Sequence, residues 1–413
     1  MYDIWLNTIK YIRNKGKSVF IKSSQYLQWE EDSTQHQARW LSQSNHAPPK
    51  RIVIVDDTTT ANEAYRLANA GTSMLWRGDF HNAKQLIQAL QRRIDQAEQR
   101  KIEKAAKKAA KDNQSAQPTP ESEALPSLFH KNRLAQSQRS RLLGRLLLQF
   151  DANYKLNLRR APEVSQACEA AFGEMDESCI MSFRDLQGAL GAAQWRKKGV
   201  PVKALGISIH PHYGVFAPTR QEYVQLLLDA PLPDKHDIAY DIGTGTGLLA
   251  IVLAKRGFKQ IIATDLNPRA LDCAQDNFDR LGLSNVQLQQ ADLFPSDVPK
   301  ANLIVCNPPW LPAKPSSPLE YAVYDANSAM LRGFLMGAKQ HLTESGEVWL
   351  ILSDLAEHLQ LRTRDELLSW IEDAGLKVKY RLDTEPTHGK SQDESDPLFA
   401  ARSAEVTSLW CLC

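Results

Sequence analysis

Asp241-Ile242-Gly243-Thr244-Gly245-Thr246-Gly247 stands directly behind an apolar run and directly ahead of a helix-forming one. Glycines at such a junction let the backbone turn tightly and approach a ligand where a Cβ would collide. Their spacing discriminates among ligands. A dinucleotide fingerprint, GxGxxG, needs its third glycine at position 248, which is Leu. The pattern here is DxGxGxG, and an acid ahead of the turn suits a cationic ammonium group while facing a pyrophosphate unfavourably. Asp265 ends the next apolar run, 24 residues after Asp241. A carboxylate there can accept both hydroxyls of a ribose, with Leu266 beside it against the same ligand. In Ala291-Asp292-Leu293-Phe294 the acid can accept from an adenine amino group while Leu293 packs on the ring. A nucleoside bearing a methionyl cation, S-adenosylmethionine (SAM), satisfies all of these sites, whereas NAD does not.

Asn307-Pro308-Pro309-Trp310 supplies the chemistry. An amide or exocyclic amino nitrogen is a poor nucleophile because its lone pair is delocalised. The Asn307 side-chain oxygen and the Pro308 carbonyl can each accept one of its two hydrogens, fixing the nitrogen and turning its electron density toward a methyl sulfonium. Pro308 and Pro309 stiffen the loop, and Trp310 offers a flat face for a planar amide or base.

These motifs need a scaffold that brings strand ends together. Short β-rich runs at Ile238–Tyr240, Ile261–Thr264, Val286–Leu288, Leu303–Cys306, Val348–Leu352, Val378–Leu382 and Val406–Trp410 alternate with helical patterns. That alternation predicts an α/β domain over 205–413, a Rossmann-like, mostly parallel sheet of seven strands. Between the last two strands only the polar stretch Asp383–Ser403 intervenes, which predicts an antiparallel closing hairpin. Asn267 as N-cap and Pro268 at the first helical position start the helix after Asp265. In open α/β sheets the ligand lies at the carboxyl ends of the strands, where Asp241, Asp265 and Asn307 all fall.

The other half reads differently. Residues 1–58 are a polar appendage holding one short strand candidate, Arg51–Val55. From Thr60 the period is helical, and Ala83, Leu86, Ile87, Leu90, Ile94 and Ala97 mark a long amphipathic helix capped by Asp79. Its continuation carries Lys101, Lys104, Lys107, Lys108 and Lys111, either a solvated face or a stripe that tracks phosphates. Residues 59–112 thus form a helical segment, 113–126 a Pro/Ser/Gln-rich linker, and 127–204 a helical accessory domain with helices ending in Leu142–Phe150, around 162–173 and around 183–195. Residues 1–200 hold 31 Lys+Arg against 21 Asp+Glu, and residues 201–413 hold 19 against 27. A basic half beside an acidic catalytic half suits an anionic partner such as RNA or the ribosome.

No apolar run approaches the roughly 18 residues of a membrane span, and the N-terminus lacks a signal-peptide core, so neither membrane nor export is expected. Six cysteines without a paired CxxC spacing predict thiols in a reducing cytoplasm and no metal site; Cys411 and Cys413 alone make a poor metal pair. His210 and His212 are read as loop or packing residues.

From about Gly214 to Cys413 the chain resembles class I SAM-dependent methyltransferases, in the "methyltransferase small" group with an NPPY-type tetrapeptide. That group includes glutamine methyltransferases of translation release factors and amino-directed methyltransferases of adenine and guanine. The resemblance implies a seven-stranded sheet with the last strand antiparallel. It also implies SAM at Gly243 to Gly247, Asp265 and Asp292, and transfer at Asn307 to Trp310. Phe216-Ala-Pro218-Thr-Arg220-Gln-Glu222 resembles the Pro/Arg/Glu segment ahead of the glycine motif in the release-factor enzymes. Trp310 stands where Tyr or Phe is usual. The acceptors implied are a translation factor, rRNA or tRNA. Two other readings are a non-catalytic protein with a relict SAM fold, which has no need of Asn307, and a nicotinamide oxidoreductase, which Leu248 disfavours.

Overall fold

The computed structural model describes residues 10–14, 17–21, 26–112, 125–386 and 389–413. Its contacts divide the chain into two units, Met1–Gly191 and Ala192–Cys413.

The first unit opens with two hairpins, β1 (Lys10–Asn14) with β2 (Lys17–Ile21) and β3 (Tyr26–Glu31) with β4 (Thr34–Trp40). There follow β5 (Ile52–Val55), α1 (Ala61–Asn69), β6 (Ser73–Trp76), α2 (Phe80–Asp112), α3 (Leu125–Leu143), β7 (Leu146–Phe150), α4 (Ser165–Phe172), β8 (Cys179–Ser182) and α5 (Phe183–Lys198). Strands β3 to β8 make one six-stranded sheet in the order β3-β4-β8-β7-β6-β5, with β5, β6 and β7 mutually parallel.

This sheet adds strands to an accessory region expected to be mainly helical. Helices do form near the expected places: Thr60 caps α1 through Glu63 N–H at 3.2 Å, and Asp79 caps α2 through His81 N–H at 2.8 Å. The run Leu142–Phe150, however, does not continue α3, which ends at Leu143. Its second half is β7, whose leucines are fully buried on both faces of the sheet. A short apolar run without alternation is compatible with either element, and only its neighbours in the sheet decide. The appendage likewise contributes strands to this unit. Residues 113–124 of the linker lie outside the described residues, and Leu125 and Pro126 already belong to the first turn of α3, where proline is tolerated. Lys101 and Lys104 are exposed on α2; the side chains of Lys107, Lys108 and Lys111 lie outside the described residues.

The second unit starts with a small hairpin, β9 (Val200–Val202) and β10 (Ile207–Ile209), then α6 (Glu222–Asp229). Next come β11 (Ile238–Ile242), α7 (Leu248–Lys255), β12 (Gln260–Asp265), α8 (Pro268–Leu281), β13 (Val286–Gln290), β14 (Ala301–Cys306), α9 (Ala329–His341), β15 (Leu342–Ser353), α10 (Leu355–His358), α11 (Arg364–Asp373), β16 (Val378–Thr384), α12 (Phe399–Ser403) and β17 (Thr407–Leu412). The seven-stranded sheet has the order β13-β12-β11-β14-β15-β17-β16. Its first five strands are parallel, and β17 runs antiparallel between β15 and β16.

Alternation across the pleat explains the layers. Ala239, Leu303 and Val305 face a core shared with α6, α7 and α8, while Tyr240, Ile242, Ile304 and Cys306 face the core under α9 and α11. All six residues of β14 are buried because helices cover both faces. Helix α8 starts as its sequence predicts, with Asn267 Oδ1 accepting from Arg269 N–H at 3.1 Å and Pro268 in the first turn. The polar stretch before β17 holds the short helix α12. Among the described residues no helix is long and apolar enough to cross a membrane.

Candidate functional site

The chain reverses its direction of sheet growth between β11 and β14, and such a switch point opens a crevice at the carboxyl ends of the strands. Ile242 pairs with Cys306, the last residue of each strand, so the next residues, Gly243 and Asn307, leave the sheet side by side. The two motifs that sequence spacing singled out therefore flank one crevice.

Three glycines of the turn have left-handed backbones, φ +73° at Gly243, +56° at Gly245 and +83° at Gly247. Gly247 shows why no side chain is accepted. A Cβ there would lie 2.6 Å from Phe278 Cε1 and 3.2 Å from Ala274 Cβ, both on α8. Gly247→Ala combines a strained φ with overpacking, together worth roughly 2–4 kcal/mol. It is expected to lower the unfolding transition of the full chain that added SAM shifts; an unmoved midpoint in a thermal melt counts against this packing.

Asp241 is fully buried. Its Oδ2 accepts from Thr244 Oγ1 at 2.6 Å and from Ala250 N–H at 3.0 Å. The other oxygen, Oδ1, has no hydrogen-bond partner among the described residues. Burial is the main cause that pushes this carboxyl up to about 7, with the charge of Asp265 adding to the rise and the two hydrogen bonds opposing it. An orphaned, buried acceptor beside a glycine turn is the feature a cationic, hydrogen-bond-donating ligand would satisfy.

Asp265 bridges backbones: Oδ2 accepts from Gly245 N–H at 3.0 Å and Oδ1 from Asn267 N–H at 2.8 Å. Each oxygen keeps lone-pair capacity toward the crevice. Burial raises its pKa as well, opposed by these bonds. Leu266, next to it, is 64% exposed, an unusual state for a leucine and one that leaves it available to a nucleoside. Asp292 is exposed beyond β13, two residues after Gln290, which pairs with Asp265 across the ladder.

Leu293 carries a property no sequence pattern announced. Its φ is +72°, a backbone region that costs a leucine about 1–2 kcal/mol. Thr264 Oγ1 donates to its carbonyl at 2.6 Å and holds the strained turn. Glycine at 333 accommodates the side chain, since a Cβ there would lie 3.1 Å from Leu293 Cδ1.

Asn307 is half-buried, whereas Pro308 and Pro309 are buried. The Asn307 Oδ1 accepts from Trp310 Nε1–H at 2.8 Å. One face of Trp310 is covered, since the Arg220 guanidinium lies over the ring at 4.6 Å from its centroid. Arg220 donates to Glu222 Oε1 at 2.8 and 2.6 Å, to Glu405 Oε1 at 2.8 Å and to Thr407 Oγ1 at 3.1 Å. Glu405 and Thr407 were not among the sequence candidates; their partner Arg220 is remote in the chain, and nothing in their local pattern points to the site.

His210 and His212 tie the segment ahead of α6 to α8. His210 N–H donates to Asn277 Oδ1 at 2.8 Å, and His212 Nε2 lies 3.0 Å from Asp276 Oδ2. Burial lowers the His212 pKa against the pull of Asp276. Both histidines therefore serve packing here.

Strand order, switch point and glycine turn together define the second unit as a class I SAM-dependent methyltransferase domain. Residues 206–372 match the family model described as "Methyltransferase small domain". The chain is 28% identical over 186 residues to a putative protein N5-glutamine methyltransferase of Methanocaldococcus jannaschii, covering 44% of this chain and 89% of that protein. It is 33% identical over 137 residues to a release factor glutamine methyltransferase of Cereibacter sphaeroides, covering 30% of this chain and 49% of the relative. With a tRNA1(Val) (adenine(37)-N6)-methyltransferase of Cytophaga hutchinsonii it shares 34% identity over 121 residues, 27% of this chain and 50% of the relative. The chain thus spans about half the length of the latter two relatives.

Proposed function

We propose that this chain transfers a methyl group from SAM to a planar amide or exocyclic amino nitrogen of a protein glutamine or a nucleic-acid base in the translation machinery. The observation that carries the reading is the side-by-side exit of Gly243 and Asn307 from paired strands, which sets an amide acceptor next to the cofactor turn.

SAM supplies an electrophilic methyl on a sulfonium and leaves as the neutral thioether S-adenosylhomocysteine. The orphaned Asp241 Oδ1 would take an N–H of the methionyl ammonium, directly or through water. Asp265 would accept the ribose hydroxyls, with Leu266 and Leu293 against the nucleoside and Asp292 accepting from the adenine amino group. Thr244 and the glycines Gly243, Gly245 and Gly247 shape the turn that lets the backbone approach. Asn307 Oδ1 and the Pro308 carbonyl would each accept one hydrogen of the acceptor nitrogen, which bonds to the methyl carbon as the carbon–sulfur bond breaks. The nitrogen's proton then passes to water, so no general base is needed beforehand. Pro309 keeps the loop stiff, and Trp310 presents the face opposite Arg220 for stacking.

Two of the relatives carry names that place their action on release-factor glutamine and on tRNA adenine. An acceptor in the translation machinery would place the enzyme in the cytoplasm, and the basic excess of residues 1–200 suits RNA or a ribosomal particle. Mass spectrometry of RNA nucleosides and translation-factor peptides from a deletion strain and its parent tests the reading. One N-methylated nucleoside or glutamine is expected to vanish; identical methylation in both strains overturns it.

A further inference from the structure

The oxygen of the Asn307 amide accepts from Trp310 Nε1–H at 2.8 Å. The two ends of an asparagine amide are nearly identical in shape and opposite in polarity, so a half-turn about the last side-chain bond exchanges acceptor for donor. An indole N–H is a donor only. It can face only the oxygen, and it thereby excludes the flipped amide, which would point an NH2 group at the hydrogens of an acceptor nitrogen. The oxygen retains a second lone pair for that nitrogen.

Trp310 is in turn clamped. Arg220 covers one face of the indole, and its own nitrogens are spent on Glu222, Glu405 and Thr407. Thr407 opens β17, and Glu405 also accepts from Ser353 Oγ at the end of β15. A continuous set of contacts therefore leads from the ends of two central strands to one amide. We infer that Trp310 and Arg220 are positioning residues for methyl transfer, Trp310 selecting the amide orientation of Asn307 and Arg220 pinning the indole that does so. The inference rests on the N-methyl-transfer reading above.

Trp310→Phe keeps an aromatic ring under Arg220 and deletes the N–H together with the second ring of the indole. In the full-length protein, with saturating tritiated SAM and bulk RNA and bulk protein of a deletion strain as acceptors, this variant should transfer methyl about ten- to a hundredfold more slowly. SAM affinity by calorimetry should stay within about twofold, because the indole touches no proposed SAM ligand. In an Asn307→Ala background the same substitution should have no further effect, since the N–H acts through Asn307 alone. Arg220→Met should slow transfer in the same direction. The 15N–1H spectrum reads the contact without turnover: of the nine tryptophan indole signals, the one lost in Trp310→Phe should shift in both Asn307→Ala and Arg220→Met. A wild-type rate in Trp310→Phe, or an equal further loss in the Asn307→Ala background, overturns the positioning role. Failure of the wild type to methylate either fraction overturns the functional reading, and the positioning role with it.

Discussion

Asn307→Ala is expected to slow methyl transfer about 10²–10³-fold while leaving SAM binding intact. The side chain sits at the mouth of the crevice, one residue past the ladder pair Ile242 and Cys306, and its oxygen is oriented by Trp310. Removing it deletes one acceptor that strengthens as the attacking nitrogen gains positive charge. Loss of a single preorganised transition-state hydrogen bond costs about 10²–10³ in rate, or ~3–4 kcal/mol. The cofactor turn, Asp241 and Asp265 are untouched by the change, so calorimetric titration with SAM should return the wild-type affinity. Trp310 loses a partner, yet Arg220 still covers its ring, and the fold should persist in circular dichroism. Undiminished turnover would refute the role assigned to this loop. Loss of SAM binding together with turnover would mean that the loop shapes the cofactor site instead.

Asp241→Asn is expected to act in opposite directions on stability and on ligand affinity. With its pKa near 7, the native carboxyl keeps a proton between about pH 4 and 7, a range in which the unfolded chain has already released it. The native state then binds more protons than the unfolded one, so this group's contribution to stability falls as pH rises through that window. By pH 8 the deficit is on the order of 4 kcal/mol. Asparagine cannot ionise, and its oxygen can still accept from Thr244 and Ala250. The ligand-free variant should therefore melt no lower than the wild type at pH 8, and its melting should vary less between pH 5 and 8. SAM should bind it about ten- to a hundredfold more weakly, since a charge-assisted bond worth ~1.5–3 kcal/mol is replaced by an amide N–H facing a cation. In the wild type, affinity should rise from pH 6 to 8 and binding near pH 7 should release roughly half a proton, visible as a buffer-dependent enthalpy. Affinity independent of pH over this range, with Asp241→Asn binding normally, would remove Asp241 from the cofactor site.

Much of the catalytic unit was legible because its signals are local. Each of the seven strands was marked by a β-rich run, most of them separated by helical periodicity, and Asn267-Pro268 announced the start of α8 by capping chemistry that involves neighbours only two residues apart. The glycine turn was equally legible, since left-handed φ angles at Gly243, Gly245 and Gly247 leave few residue types to choose from. The first unit was legible only in part. Helices α1, α2, α4 and α5 announced themselves by their period. Strands β6, β7 and β8 are four- or five-residue, almost wholly buried segments without alternation, and such runs take their identity from the sheet they join.

The sequence by itself determined a SAM-type glycine turn, an acid at the end of each of the first two strands of the second sheet, and an Asn-Pro-Pro loop two strands further on. Spacing along a chain suffices for these because each is a short-range constraint of backbone conformation or of strand length. Tertiary structure alone decided how the loop is armed. Arg220 meets Glu405 across 185 residues, and β17 inserts antiparallel between β15 and β16 to bring Thr407 under the arginine. No periodicity encodes such meetings. They arise when helices bury their apolar faces against both sides of one sheet, and the few polar side chains trapped at its carboxyl edge must then satisfy one another.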